Sequence, residues 1–215
     1  MNKIIEFLIA IGKLKKLKRK GIMMYGIKNP ETTADHTFRM TIMSWLLGRF
    51  HHLNTEKIIK MSLVHDLCEV YAGDITPYDG ILPKDKRERF NFVRKWPRFS
   101  KEEKKKRYYK KIKKERDALE KLIKGLPKEI QKEIINLWLD YEFGVSREGR
   151  FVRQVDRVEN LLEAFECWQK NKKFPTKPWW QHAEEVVDDP ILLKFLHTIS
   201  RKEIKAKKFR ETNKK

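Results

Sequence analysis

The segment Leu63-Val64-His65-Asp66-Leu67-Cys68-Glu69-Val70-Tyr71-Ala72-Gly73-Asp74-Ile75 sets a histidine, two aspartates and a glutamate inside an apolar run of helical period. Read as a helix over 62–71, it aligns Leu63, Val64, Leu67 and Val70 on one stripe. His65, Asp66 and Glu69 then share the adjoining face, with Asp66 and Glu69 one turn apart. Gly73 ends the helix and lets Asp74 return toward the same mouth. Carboxylates buried without a partner are costly, so acids this deep in an apolar pattern require a cation. An isolated His-Asp pair is ordinarily a surface pair, and the remaining sequence has to decide between the two.

The bulk numbers favour an all-α protein. With 215 residues the chain makes one domain with a sizeable core, and 40% hydrophobic, 37% charged, nine Gly and eight Pro argue against a sheet or a disordered chain. The formal net charge of +20 implies attraction to anions such as phosphates, nucleic acid or acidic lipid, and is silent on fold. Cys68 and Cys167 lie far apart in helical patterns and read as buried thiols in a reducing compartment. No apolar run is long enough to span a bilayer. The run 4–11 is interrupted by Glu6 and lacks a small-residue cleavage site, so no signal peptide and a cytoplasmic location are expected.

Along the chain, residues 3–18 read as an amphipathic helix that Gly12 weakens without ending. The basic turn Lys18-Arg19-Lys20-Gly21 leads into 22–27, which reads as extended and stops at Asn29-Pro30. Thr32 or Thr33 caps the next helix, largely apolar to Gly48, with His36 in its first turn. Asn54 or Thr55 caps the helix that runs into the His65-Asp66 segment, and 75–83 is a loop beside the acids. Residues 84–116 carry 17 Lys and Arg against five Asp and Glu. They read either as a solvated helical hairpin, broken at 96–100 and recapped by Ser100, or as a basic arm for a polyanion. Pro127 opens a helix over 128–141 and Ser146 caps the next, in which Asp156 interrupts the apolar positions Val155 and Val158. Residues 175–180 read as loop and 190–205 as a last helix, with a basic end, 201–215, expected to fray.

His36, His65-Asp66 and Asp156 thus fall on three helices, in the order H…HD…D. That order resembles the HD-domain metal-dependent phosphohydrolases. The flanks Arg19-Lys20-Gly21, Pro30 to His36, Leu63 to Glu69, Gly73-Asp74-Ile75, Leu137 to Glu142 and Phe151 to Asp156 are similar to its 5'-deoxynucleotidase subgroup. The resemblance covers roughly residues 5–83 and 112–170. It implies a single HD-domain helical bundle over 1–215, with core 5–83 and 112–200 and a basic helical insertion at 84–111. It further implies that His36, His65, Asp66 and Asp156 hold a divalent metal ion, with Mn, Co, Fe, Ni, Mg and Zn all compatible with a mixed N/O donor set. Glu69 would handle the proton of the attacking water. Arg19 would clamp phosphate, Asp74 would hold the nucleophile or the sugar, and Glu142 would contribute at the rim. The implied substrate is a deoxyribonucleoside 5'-monophosphate, and a homodimer is expected. Where many relatives place an aromatic residue after the arginine segment, this chain has Gly21, Ile22 and Met23, and its basic stretch is longer.

Two alternatives stay open at this stage. One is an HD phosphohydrolase acting on a triphosphate or cyclic nucleotide. The other is a nucleic-acid-binding protein, using the basic insertion, whose metal site is structural.

Overall fold

The computed structural model describes residues 1–95 and 98–212; Trp96 and Pro97, at the expected break in the basic segment, and residues 213–215 of the basic end lie outside them. The described chain is helical, with a lone antiparallel bridge between Lys18 and Thr32. Its helices are α1 (Asn2–Ile11), α2 (Lys20–Met23), α3 (Thr33–Gly48), α4 (Thr55–Val64), α5 (Glu69–Ala72) and α6 (Lys86–Arg94). They continue as α7 (Lys101–Ile123), α8 (Lys128–Phe143), α9 (Arg147–Lys170), α10 (Lys177–Val186) and α11 (Pro190–Thr212).

Helix starts follow the capping chemistry. Thr32 closes a capping box with Asp35, and Ser100 does the same with Glu103. Asn54 and Ser146 accept from the backbone N–H groups of Lys57 and Gly149. Stops follow glycine: Gly144, in the left-handed region at φ 60°, ends α8. Five expectations are corrected. α1 stops at Ile11, and Gly12 opens a 3-10 turn over Gly12–Lys15 instead of continuing the helix. The stretch expected as extended begins with the short helix α2, whose first N–H, that of Lys20, is taken up by the Asp74 carboxylate at 2.6 Å. The 62–71 helix breaks: α4 ends at Val64, and His65–Cys68 form a turn before α5. The stretch expected as loop, 175–180, already enters α10 at Lys177, with Pro178 in its first turn. The segment expected to fray is helical as far as Thr212.

α9 is the central post. α3, α8, α10 and α11 pack directly on it, α4 packs against α3, α8 and α9, and α7 joins through α8 and α5. Val152, Val155, Val158 and Leu161 give α9 a fully buried stripe, facing Met40, Ile58, Met61 and Trp138. Each such side chain contributes about 1.5–3 kcal/mol of burial. A second cluster of Ile22, Tyr25, Val93, Phe165, Trp168 and Phe174 closes the other end of the bundle. Tyr25, the first aromatic after Arg19, belongs to this cluster, 4.9 Å from the Trp179 ring and donating to the Val93 carbonyl.

The α8–α9 corner depends on close backbone approach. Asp140 accepts from the Ser146 N–H and hydroxyl and pairs with Lys57 at 2.7 Å, and a Cβ on Gly149 would strike the Asp140 carbonyl and carboxylate. Gly149→Ala is therefore expected to destabilise the fold by about 1–3 kcal/mol in urea unfolding. At Gly12, where nothing lies within 4 Å and φ is −57°, alanine should instead add about 0.4–1 kcal/mol.

Candidate metal centre and phosphate pocket

The first turn of α3, the turn after α4 and the middle of α9 converge on one point. His36 and His65 are fully buried, and their Nε2 atoms face each other at 3.3 Å. Asp156 Oδ1 lies 3.3 Å from His36 Nε2. Asp66 Oδ2 lies 3.0 Å from His65 Nε2 and 3.8 Å from His36 Nε2. All four residues expected to hold a metal are thus brought together, and ligand atoms of His36, His65 and Asp156 all fall within 4.8 Å of one another.

The hydrogen bonds behind the rings decide what this point wants. His65 Nδ1 lies 2.7 Å from the Ser62 carbonyl, which can only accept, so Nδ1 carries the proton. His36 Nδ1 is bonded to the Glu159 carboxylate, which again accepts. In the neutral rings both Nε2 atoms then carry lone pairs. Two lone pairs held 3.3 Å apart, with two carboxylates alongside, repel unless a cation sits among them. The donor set fits a divalent ion. The same demand appears in the protonation behaviour. Burial and the Arg19 charge push His36 down, yet Glu159 and the hydrogen bond to Asp156 prevail and hold it up at about 10. Against burial, Arg157 and the two histidines keep Asp156 well below the carboxylate range, and His65, Arg19 and His36 do the same for Asp66.

Arg19 reaches the centre from the N-terminal edge of α2. Its Nη1 donates to Asp66 Oδ2 at 3.2 Å and lies 4.0 Å from Glu69 Oε1, and its Nη2 donates to Asn160 at 2.9 Å. Asn160 in turn donates to Asp156 Oδ1 at 2.8 Å, so the guanidinium is tied to the same two carboxylates that face the histidines. Glu69, first residue of α5, accepts from the Thr33 hydroxyl at 2.7 Å. Burial, Asp66 and Asp74 drive Glu69 well above its ordinary range, against the pull of Arg19 and of the Thr33 hydrogen bond. The buried Asp74 carboxylate holds the N-terminus of α2, and with it Arg19. Glu142 falls in a neighbouring group: it lies 3.7 Å from Lys111, and Tyr108 donates to its carbonyl at 2.6 Å.

Sequence reasoning missed several members. Tyr141 donates to Asp156 Oδ2 at 2.8 Å, and Arg157 lies 3.2 Å from the same oxygen. Glu159 and Asn160 complete the run Asp156-Arg157-Val158-Glu159-Asn160, whose i+3 and i+4 spacing from Asp156 was the available signal. The basic segment is docked over the 74–83 loop: Arg107 donates to the Pro77 and Asp79 carbonyls and stacks on Phe99, while Tyr78 is buried between Phe92 and Phe99.

Two imidazoles and two carboxylates converge beside a partly buried arginine in an all-α bundle, an arrangement suited to a metal-dependent hydrolase. The HD domain family model matches residues 11–190, and the chain belongs to that family. The 5'-deoxynucleotidase HDDC2 of Bos taurus is 34% identical over 163 residues, 76% of this chain and 67% of that protein. Its Dictyostelium discoideum counterpart is 34% identical, over 77% of this chain and 78% of that protein. Among solved structures, a conserved hypothetical protein from Pyrococcus furiosus matches with TM-score 0.65 at 21% identity, covering 92% of this chain and 99% of that one. A Magnetospirillum magnetotacticum protein titled a metal-dependent phosphohydrolase matches with TM-score 0.62 at 20% identity, covering 95% and 92%. Both cysteines are free, and no helix among the described residues is long and apolar enough to cross a membrane.

Behind His36, burial and the neighbouring Glu31 and Glu159 raise Glu163 to about 9, against the pull of Arg19. A carboxyl raised on folding binds more protons in the native state than in the unfolded one across the interval between its two pKa values. Its contribution is complete at or below the ordinary carboxylate range and is lost as pH climbs toward 9. Stability measured by urea unfolding should therefore fall between about pH 5 and pH 9, and Glu163→Gln should flatten that fall.

Proposed function

We propose that the chain hydrolyses deoxyribonucleoside 5'-monophosphates to deoxynucleosides and phosphate. The observation that carries this reading is the pair of facing Nε2 atoms with Asp66 and Asp156 beside a buried guanidinium, in a chain similar to proteins named 5'-deoxynucleotidase. His36, His65, Asp66 and Asp156 would hold the divalent ion; Mn, Co, Fe, Ni, Mg and Zn all suit the set. Bound there, such an ion polarises a phosphoryl oxygen and lowers the pKa of water.

The protein's own residues supply the rest. Arg19 offers its fork to two phosphate oxygens as the phosphate enters between it and the carboxylates. Glu69 takes a proton from the attacking water as the new O–P bond forms, and the P–O5' bond breaks with a proton passing to the leaving 5' oxygen. Positive charge beside Glu69, as from Arg19, favours the ionised carboxylate that accepts the proton. Asp74 keeps Arg19 in place and stands at the sugar side; Glu142 belongs to the rim.

A cytoplasmic location and a homodimer go with this reading. The exposed stripe of Phe38, Ile42, Trp45, Leu46 and Phe50 along α3 and the turn after it supports pairing with a second copy. The exposed lysines of α7 leave weak nucleic-acid binding as a secondary activity, which would weaken steeply with salt.

The deciding assay is phosphate release from a panel of dNMPs, NMPs, dNTPs and a cyclic dinucleotide, with stripped protein given back Mn, Co or Mg. Turnover confined to dNMPs and dependent on metal is expected; activity on triphosphates or cyclic substrates alone would overturn the substrate class. Glu69→Gln should keep its metal and lose about 10²–10⁴-fold in turnover. Arg19→Ala should chiefly raise KM, read against an unchanged metal content.

A further inference from the structure

Glu159 is fully buried on α9, one turn beyond Asp156. One of its oxygens accepts from His36 Nδ1. The other accepts from Arg39 Nε at 2.7 Å and lies 2.6 Å from Arg39 Nη2 in an ion pair. Arg39 stands one turn beyond His36 on α3, and its remaining N–H groups go to Glu31 at 3.0 Å and Glu166 at 2.8 Å. Each of the two helices therefore supplies a member of the centre and, three residues later, a member of a charged brace behind it. His65 has no such brace, since its Nδ1 meets a neutral carbonyl.

We propose that Glu159 is a positioning residue that fixes His36 in its Nδ1–H form and raises the affinity of the centre for a divalent cation, with Arg39 holding Glu159 in place. The proposal rests on the reading of His36 as a metal ligand. An anionic acceptor behind the ring selects the tautomer, aims Nε2 at His65 and Asp156, and pushes electron density toward Nε2; a neutral acceptor gives the aim without the push. Arg39 earns its place in this arrangement by geometry. One Glu159 oxygen bonded to Arg39 Nε and in ion-pair contact with Nη2, and the other bonded to the imidazole, fix the carboxylate between the two. The same fork neutralises a charge that burial would otherwise penalise.

The competing account is that Arg39 and Glu159 only stitch α3 to α9. The two accounts differ in what they predict for metal binding. The full chain is stripped with chelator, Mn2+ affinity is measured by calorimetry, and the Co2+ absorption spectrum is recorded for wild type and Glu159→Gln. We expect Glu159→Gln to bind Mn2+ about 10–100-fold more weakly, with an altered Co2+ spectrum. The rise in Tm at a fixed Mn2+ concentration should shrink as well. A purely structural Glu159 would lower Tm equally with and without metal and leave the Mn2+ Kd unchanged, which would overturn the proposal. Should Glu159→Gln not fold, Arg39→Gln takes its place: weaker Mn2+ binding is expected, and unchanged affinity overturns the brace. A wild type that takes up neither Mn2+ nor Co2+ sinks the metal reading itself, whereas equal binding by wild type and variant sinks this proposal alone.

Discussion

Two imidazole nitrogens held 3.3 Å apart with two carboxylates alongside are the constraint on which the rest of this structure depends. Such a point needs a positive charge, a proton on His36 or a metal ion, and the surrounding side chains are organised to hold it. Glu159 and the Ser62 carbonyl lock the far sides of the rings, Asp66 and Asp156 flank the near sides, and Arg19, Arg39 and Arg157 distribute positive charge around the acids. Removing one member of such a buried set leaves its partner uncompensated, a loss of about 3–5 kcal/mol in comparable pairs. The centre is therefore also a stability element of the fold, joining α3, α9 and the turn after α4 by charge where the valine stripe of α9 joins them by burial.

The basic segment acquires a structural meaning from its contacts. Its lysines dominate the charge, but Phe92, Phe99 and Arg107 meet the loop that follows Asp74, while Val93 joins the second core cluster and Tyr108 reaches Glu142. Lys20 reaches Asp79 from the opposite side at 3.1 Å. The loop is held between α2 and α7, and Asp74 at its base holds the helix that carries Arg19. Arg19 and the insertion thus share one mechanical connection.

How far the sequence could be read depended on the range of the interaction. The candidate ligand set His36, His65, Asp66 and Asp156 was legible through its order on three helices, H…HD…D, which resembles the HD-domain phosphohydrolases; the apolar neighbours of each residue alone left a core reading open. Caps at Thr32, Asn54, Ser100 and Ser146 were legible because the bond closes within three residues. Glu159, Arg39 and Asn160 were not, since a charged residue on a helix looks solvated until the opposing helix is placed. The break after Val64 was also hidden: the periodicity through 63–70 is sound for a helix, and only the need to turn His65 and Asp66 toward α3 and α9 interrupts it. The α2 helix escaped notice for a related reason. Its four residues have little propensity of their own, and an acid more than fifty positions away supplies the cap.

That break carries one more consequence. His65 and Asp66 ride on the end of α4, whereas Glu69 opens a separate four-residue helix that packs on α7. A continuous helix would have locked all three into one rigid register. The turn at His65–Cys68 separates the two registers, so Glu69 is placed by the packing of α5 on α7, and His65 and Asp66 by the end of α4. A substitution in α7 therefore reaches Glu69 by a shorter route than it reaches the histidine-aspartate pair.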